Sequence, residues 1–198
     1  PRDRSVTSLN AMDDEYRRED LVVIADGDGE YLVGVRAAAE ARNAGRYVLT
    51  VQDVRAATAD DRVALEAERA FTRGRQTRDA GRAATWSEAL DLFAAALTKY
   101  RQIGDRRGEM KSLLELGITQ YYLSQPEALS TAQAAARLAL DLDDRAAAAR
   151  ALKSAGNTLV FQGELPAAIR AFEQATALSH AIGHRSAEAR SLNDAGIA

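Results

Sequence analysis

The chain repeats itself about every 40 residues over its last two thirds, and a period of this length limits the possible folds more than any other feature. Ala89 recurs as Ala128 and again as Ala168, in two nearly equal steps along the chain. An arginine series and a glycine series follow the same steps, namely Arg106, Arg145 and Arg185, and Gly117, Gly156 and Gly196. Such a period with two helical segments in each unit is typical of an α-solenoid, in which each repeat stacks on the next.

Apolar residues follow a helical period of 3.6 from Thr58 onward. Thr58-Ala59-Asp60-Asp61 places a hydroxyl three residues before a carboxylate, which predicts a helix start and a domain boundary. We expect helix pairs, A and B, over about 60–104, 105–143 and 144–183, and a lone A helix from about Ser186 to Ala198. The predicted B-helix starts are Thr85-Trp86-Ser87-Glu88, Ser124-Gln125-Pro126-Glu127 and Gly163-Glu164-Leu165-Pro166.

Residues 1–58 form a separate predicted domain with a period of two. Tyr31, Val33 and Val35 occupy every second position, and Tyr47, Leu49 and Val51 do the same. The segment 21–25 is a third apolar stretch. Asp26-Gly27-Asp28-Gly29 supplies glycines for a tight hairpin turn. The pattern predicts a charged N-terminal segment followed by a small antiparallel β-sheet.

Composition excludes several classes of function. The formal charge is -3 with no long block of one sign, so a nucleic-acid partner is disfavoured. The apolar stretches are too short to cross a bilayer, which predicts a soluble chain with no membrane association and favours the cytoplasm, although the compartment stays unknown. The chain has no cysteine. His180 and His184 are four apart, but Gly183 ends the helix between them, so we expect no metal, no cofactor and no enzyme activity.

The helical repeats resemble the tetratricopeptide repeat family. The third unit carries the small and large residues of that pattern most completely: Leu152, Ala155, Gly156, Leu159, Gly163, Ala168, Phe172 and Ala175. Glycine and alanine let helices A and B approach closely, and Phe172 fills the space between them. The resemblance implies a mainly α fold over 59–198, with about three and a half helix pairs in a right-handed superhelix.

The repeat spacing of about 40 residues, the Gly-Asp-Arg linkers and the segment from Gly45 to Thr58 together resemble those of bacterial proteins in which tetratricopeptide repeats precede a CHAT domain. A CHAT domain is a caspase-like peptidase module. This resemblance implies that residues 1–58 are the end of a truncated β-sandwich. Because the chain has no cysteine, any peptidase module would lie beyond Ala198. The chain itself would then be a non-catalytic recognition region.

The tetratricopeptide resemblance implies a concave groove, lined by A helices, that binds a protein or peptide partner. The candidate groove residues are Lys111, Leu114, Ile118, Tyr121, Arg150, Lys153, Asn157, Arg190 and Asn193. Lys153 and Asn157 share one helical face and match residues with which some family members hold a terminal carboxylate. Asp194 stands where that clamp has an asparagine, and its charge would repel a carboxylate.

Three questions stay open from the sequence alone. Tyr121 and Tyr122 are either a recognition pair or packing within the repeat, and Trp86 is either an exposed anchor or a cover over the edge of the first unit. The whole array either binds a partner segment or assembles as a homo-oligomer through the exposed ends of the solenoid. The sequence favours partner binding, with assembly as the alternative.

Overall fold

A computed structural model describes residues 24–25, 55–81 and 83–198. The chain divides into two compact units, Pro1–Arg62 and Val63–Ala198. All regular structure in the described residues is helical. The seven helices are α1 (Ala59–Asp79), α2 (Ala83–Gln102), α3 (Arg106–Tyr122), α4 (Ala128–Asp141), α5 (Arg145–Phe161), α6 (Leu165–Ala181) and α7 (Arg185–Ile197).

The predicted helix pairs are confirmed. Phe71 of α1 contacts Phe93 of α2, with ring centroids 5.7 Å apart, α2 to α6 pack consecutively, and α7 packs on α6 as a single helix. The predicted β-sheet lies outside the described residues, except for Ile24 and Ala25, which are in neither a helix nor a strand. None of the helices in residues 55–81 and 83–198 is both long enough and apolar enough to cross a lipid bilayer.

The first helix begins at the predicted capping box. The Asp61 carboxylate accepts hydrogen bonds from the backbone N–H and the hydroxyl of Thr58, both at 2.7 Å. In return, the Asp61 N–H donates to Oγ1 of Thr58 at 3.2 Å. These reciprocal bonds satisfy donors that a helix start leaves unpaired.

The later odd-numbered helices begin with one repeated device. The residues with positive φ that end the preceding helices are Gly104 (68°), Asp143 (52°) and Gly183 (70°). The next residue is the N-cap: Asp105 and Asp144 each accept a backbone N–H at 2.9 Å, and Nδ1 of His184 accepts one at 3.1 Å. The repeat in the sequence is therefore a repeat of turn geometry and capping.

Two predicted B-helix caps are wrong. Helix α2 begins at Ala83, so Thr85 lies inside the first turn. Ser124 has φ of 53°, which is a turn conformation and not that of an N-cap, and α4 begins only at Ala128. Helix α6 does begin at the predicted site, with Pro166 in its first turn, where the missing N–H costs no hydrogen bond.

Glycines bring each odd helix close to the even helix that follows it. A Cβ built on Gly156 would lie 2.5 Å from Cε1 of Phe172, and one on Gly74 would lie 2.8 Å from Cε1 of Phe93. At Gly117 the nearest atom would be the backbone N of Ala132, at 3.1 Å. The predicted close approach of helices A and B is confirmed, and the Phe172 ring occupies the space that a side chain at Gly156 would need.

Odd helices also lie next to one another. Helix α3 packs against α5, Arg78 of α1 contacts Glu115 of α3, and Lys153 of α5 contacts Asp194 of α7. We call this side of the array, formed by α1, α3, α5 and α7, the odd-helix face. It corresponds to the A-helix surface that the sequence predicts as the groove; the curvature and handedness of the array stay predictions.

The glycine contacts predict different effects on stability when glycine is changed to alanine at two equivalent positions of the repeat. Gly156→Ala should lower the free energy of unfolding by about 1–3 kcal/mol because the Phe172 ring must move. Gly196→Ala should leave it unchanged or raise it by at most about 1 kcal/mol because alanine favours the helix and no described atom lies within 4 Å of the added Cβ. Urea unfolding followed by circular dichroism measures both. Equal effects would contradict the packing described for Gly156.

Candidate functional site

A buried carboxylate connects three odd helices. Glu115 of α3 is only 5 % exposed and forms ion pairs with Arg78 of α1 and with Arg150 of α5, the latter at 3.3 Å from Nη2 to Oε1. The Arg78 guanidinium also lies 5.8 Å from the centroid of the Phe93 ring in α2, within the range of a cation–π contact. Three repeats therefore meet at this one carboxylate.

The two arginines keep Glu115 ionised. Burial by itself would raise the pKa of Glu115, but the charges of Arg150 and Arg78 outweigh burial and hold that pKa below its ordinary value. A buried carboxylate with two cationic partners is costly to disrupt, because removing one charge leaves the others without compensation. Glu115 is thus a structural anchor at the centre of the odd-helix face.

A second ion pair joins α5 to α7. Nζ of Lys153 lies 2.8 Å from Oδ2 of Asp194, and both side chains are partly buried. The sequence predicts that Asp194 would repel a partner's carboxylate; in the structure Asp194 already neutralises Lys153. Lys153 and Asn157 therefore do not form a ready carboxylate clamp, since a ligand would first have to displace Asp194.

The other predicted groove residues differ in accessibility. Leu114 is 3 % exposed and belongs to the hydrophobic core, so in this arrangement it offers no surface to a partner. Ile118 is partly buried against the same core. The predicted residues that stay accessible are Lys111, Tyr121, Arg150 and Asn157, which are partly exposed, and Arg190 and Asn193, which are exposed.

The aromatic residues form one cluster between α2 and α3. Trp86 lies edge-on to Tyr122 with ring centroids 4.8 Å apart, and Tyr122 lies 5.2 Å from Tyr121. Tyr122 is 56 % exposed, so the cluster reaches the surface on that side. Trp86 thus packs across two helix pairs. Tyr121 packs against Tyr122 and is also partly exposed at the predicted groove surface.

The two histidines have local partners. Nδ1 of His180 lies 3.0 Å from Oε1 of Glu188, and His184 caps α7. In the part of the chain that the structure describes, no three His, Asp or Glu side chains are grouped as metal ligands are. His180 thus connects α6 to α7 through Glu188, and His184 caps the start of α7.

Sequence reasoning missed Glu115 and Arg78. A signal for Glu115 exists, because it interrupts the run Leu113 to Leu116 in a helix whose other residues are mostly buried. A carboxylate in such a position is buried and therefore needs a cation. Its partners are 35 and 37 residues away along the chain, and no local pattern identifies them.

Comparison of the chain with protein-family models and with curated protein sequences finds no match.

The anchoring role of Glu115 predicts a pH-dependent loss of stability in Glu115→Gln. Near neutral pH the free energy of unfolding of the variant should be about 2 kcal/mol lower than that of the wild type. The loss is smaller than for a fully buried ion pair because both arginines are partly exposed. Because the folded-state pKa of Glu115 is lowered, the wild-type advantage is complete above the ordinary glutamate pKa and declines as pH falls below about 4. Urea titrations at a series of pH values measure the difference.

The matched control is Glu173→Gln, which changes an exposed carboxylate on α6. It should alter the free energy of unfolding by no more than about 0.5 kcal/mol at any pH. A Glu115→Gln variant as stable as this control at neutral pH would show that the ion pairs do not anchor the face.

Proposed function

We propose that the chain is a non-catalytic interaction scaffold of the tetratricopeptide type that binds a segment of a partner protein on the odd-helix face. The observation that supports this proposal is a set of accessible polar side chains on the odd-helix face that have no hydrogen-bond or ion-pair partner. Within the described residues, the side chains of Lys111, Asn157, Arg190 and Asn193 form neither a hydrogen bond nor an ion pair. The odd-helix face thus presents polar side chains that the fold itself does not use.

The packing supports the tetratricopeptide assignment as part of this proposal. Helix pairs recur at the interval of the sequence repeat, and a glycine of each paired odd helix lies against an aromatic or alanine residue of the next helix. Side-by-side odd helices then produce a continuous surface that extends with each repeat. The resemblance to CHAT-associated proteins stays a sequence-based proposal, since the segment from Gly45 to Thr58 that contributes to it lies mostly outside the described residues.

Selection of binders from a displayed random-peptide library tests the proposed surface. Peptides selected on the wild-type chain should lose at least about tenfold in affinity, equivalent to about 1.4 kcal/mol, when Lys111 and Arg190 are both changed to alanine. The matched control changes Arg137 and Arg170, two exposed arginines of α4 and α6, and should leave affinity unchanged. Equal loss in both variants, or in neither, would place the docking site elsewhere.

The alternative function, self-assembly, is favoured by one feature of α7. Leu192 is 55 % exposed and Ile197 is 76 % exposed, so α7 presents apolar side chains to solvent. If this apolar face pairs copies of the chain, sedimentation equilibrium should give a dimer, and Leu192→Lys with Ile197→Lys should give a monomer. A wild-type monomer at all concentrations would eliminate assembly and leave partner binding.

A further inference from the structure

One face of α7 repeats the face of α5 that contains Gly156. The three residues that share this face, separated by three and four positions, are Ala149, Leu152 and Gly156 in α5, and Ala189, Leu192 and Gly196 in α7. In α5 these residues are buried or partly buried, whereas in α7 all three are exposed, Leu192 by 55 %. We call Ala189, Leu192 and Gly196 the α7 trio. The α7 trio is accessible to another molecule.

Two even helices cover the equivalent faces with one repeated pattern of side chains. A phenylalanine has an alanine about one turn before it and another about one turn after it, namely Ala89, Phe93 and Ala96 in α2, and Ala168, Phe172 and Ala175 in α6. Each of these residues is at most 1 % exposed. Cε1 of the ring lies 2.8 Å from a Cβ built on Gly74 and 2.5 Å from one built on Gly156. The ring therefore fills the space that the glycine leaves.

Helix α4 shows which part of this pattern is constant. Its equivalent residues are Ala128, Ala132 and Ala135, each at most 1 % exposed. Because alanine replaces phenylalanine at the centre, the backbone N of Ala132 itself comes within 3.1 Å of a Cβ built on Gly117. Small flanking residues are thus common to the three helix pairs, and the ring is a further contact in two of them.

Gly196 offers the same space to a ring. No described atom lies within 4 Å of a Cβ built on Gly196, and Leu192 lies about one turn before it on the same face. A ring placed against Gly196 would also cover Leu192 and remove its apolar surface from water. The α7 trio therefore continues the series of interfaces at Gly74, Gly117 and Gly156.

We propose that the α7 trio binds an amphipathic helix of a partner protein, in which a phenylalanine lies against Gly196 and has a small residue about one turn away on each side. The small residues let the two helices approach closely, as in the helix pairs of the array. Anchors at such spacings are how a helix is recognised in an apolar groove. This inference goes beyond the proposed function, because it concerns a different surface and a helical partner selected by shape.

The test uses a helical peptide with the sequence of residues 165–181, since α6 carries the complete pattern. An isolated helix of this length is marginal in water, so a lactam between Glu173 and a lysine introduced by Ala177→Lys fixes it. Both positions are exposed in α6 and lie one turn apart. The peptide is blocked at both ends, circular dichroism verifies that it is helical, and fluorescence anisotropy measures its binding to the chain.

Two comparison peptides test the chemistry of the partner. One carries Phe172→Ala and lacks the ring, and the other carries Ala168→Leu with Ala175→Leu. The second is more apolar than the probe, but its leucines keep the helices apart, so binding through apolar surface alone would favour it. The probe should bind at least about tenfold more tightly than either comparison peptide. Equal or tighter binding of the leucine peptide would overturn the proposed pattern.

Variants of the chain assign the binding to α7. Leu192→Lys and Gly196→Leu should each weaken probe binding at least about tenfold, the latter because leucine occupies the space of the ring. The matched control is Gln174→Lys, which changes an exposed residue of α6 and should leave binding unchanged. Circular dichroism of each variant verifies that the helices are intact.

The remaining outcomes would overturn the inference. Probe binding that survives both α7 variants would show that the peptide replaces α6 in its own position. Failure of the helical probe to bind would show that the α7 trio holds no such helix. A wild-type dimer in sedimentation that Leu192→Lys dissociates would assign this face to a second copy of the chain. The library selection tests docking on the odd-helix face separately from all three.

Discussion

The close approach of successive helices at glycine is the constraint on which the rest of the structure depends. Gly156 leaves room for the Phe172 ring, and Gly74 leaves the corresponding room for Phe93. At Gly117 the two backbones themselves are in contact range. Since protein interiors are close-packed, these contacts set the distance within each helix pair. That distance in turn lets consecutive odd helices lie side by side, where their polar side chains can meet.

Ion pairs between odd helices then stabilise the arrangement of one repeat on the next. Glu115 joins α1, α3 and α5, and Lys153 with Asp194 joins α5 to α7. Desolvation offsets much of the Coulomb attraction in such pairs, so their loss destabilises the fold mainly by leaving a buried charge without a partner. The same residues shape the surface, because the carboxylates that hold the repeats together are paired with cations, while the side chains of Lys111 and Arg190 form no ion pair among the described residues.

The repeat thus connects packing to the proposed function. Lys111, Arg150 and Arg190 occupy equivalent positions in α3, α5 and α7, so stacking of the repeats brings one cation from each of these helices to the odd-helix face. On α7 the exposed side chains also include the apolar Leu192 and Ile197.

The sequence by itself predicted the mainly α architecture, the number of helices and the repeat period, because capping residues, positive-φ glycines and apolar spacing act over only a few residues. It also predicted the close contact of Gly156 with Phe172, since that contact lies within one repeat. Its errors at Thr85 and Ser124 arose because a local capping pattern does not decide where a helix begins once packing extends or shortens the turn. The predicted β-sheet lies almost entirely outside the described residues.

Only the tertiary structure decided the character of the site. It buried Leu114 in the core, paired Lys153 with Asp194, and brought Arg78 and Arg150 to Glu115 from 37 and 35 residues away. Charges along a helix have no preferred partner until the neighbouring helix is in place, because Coulomb attraction and its screening depend on distance and burial and not on separation along the chain.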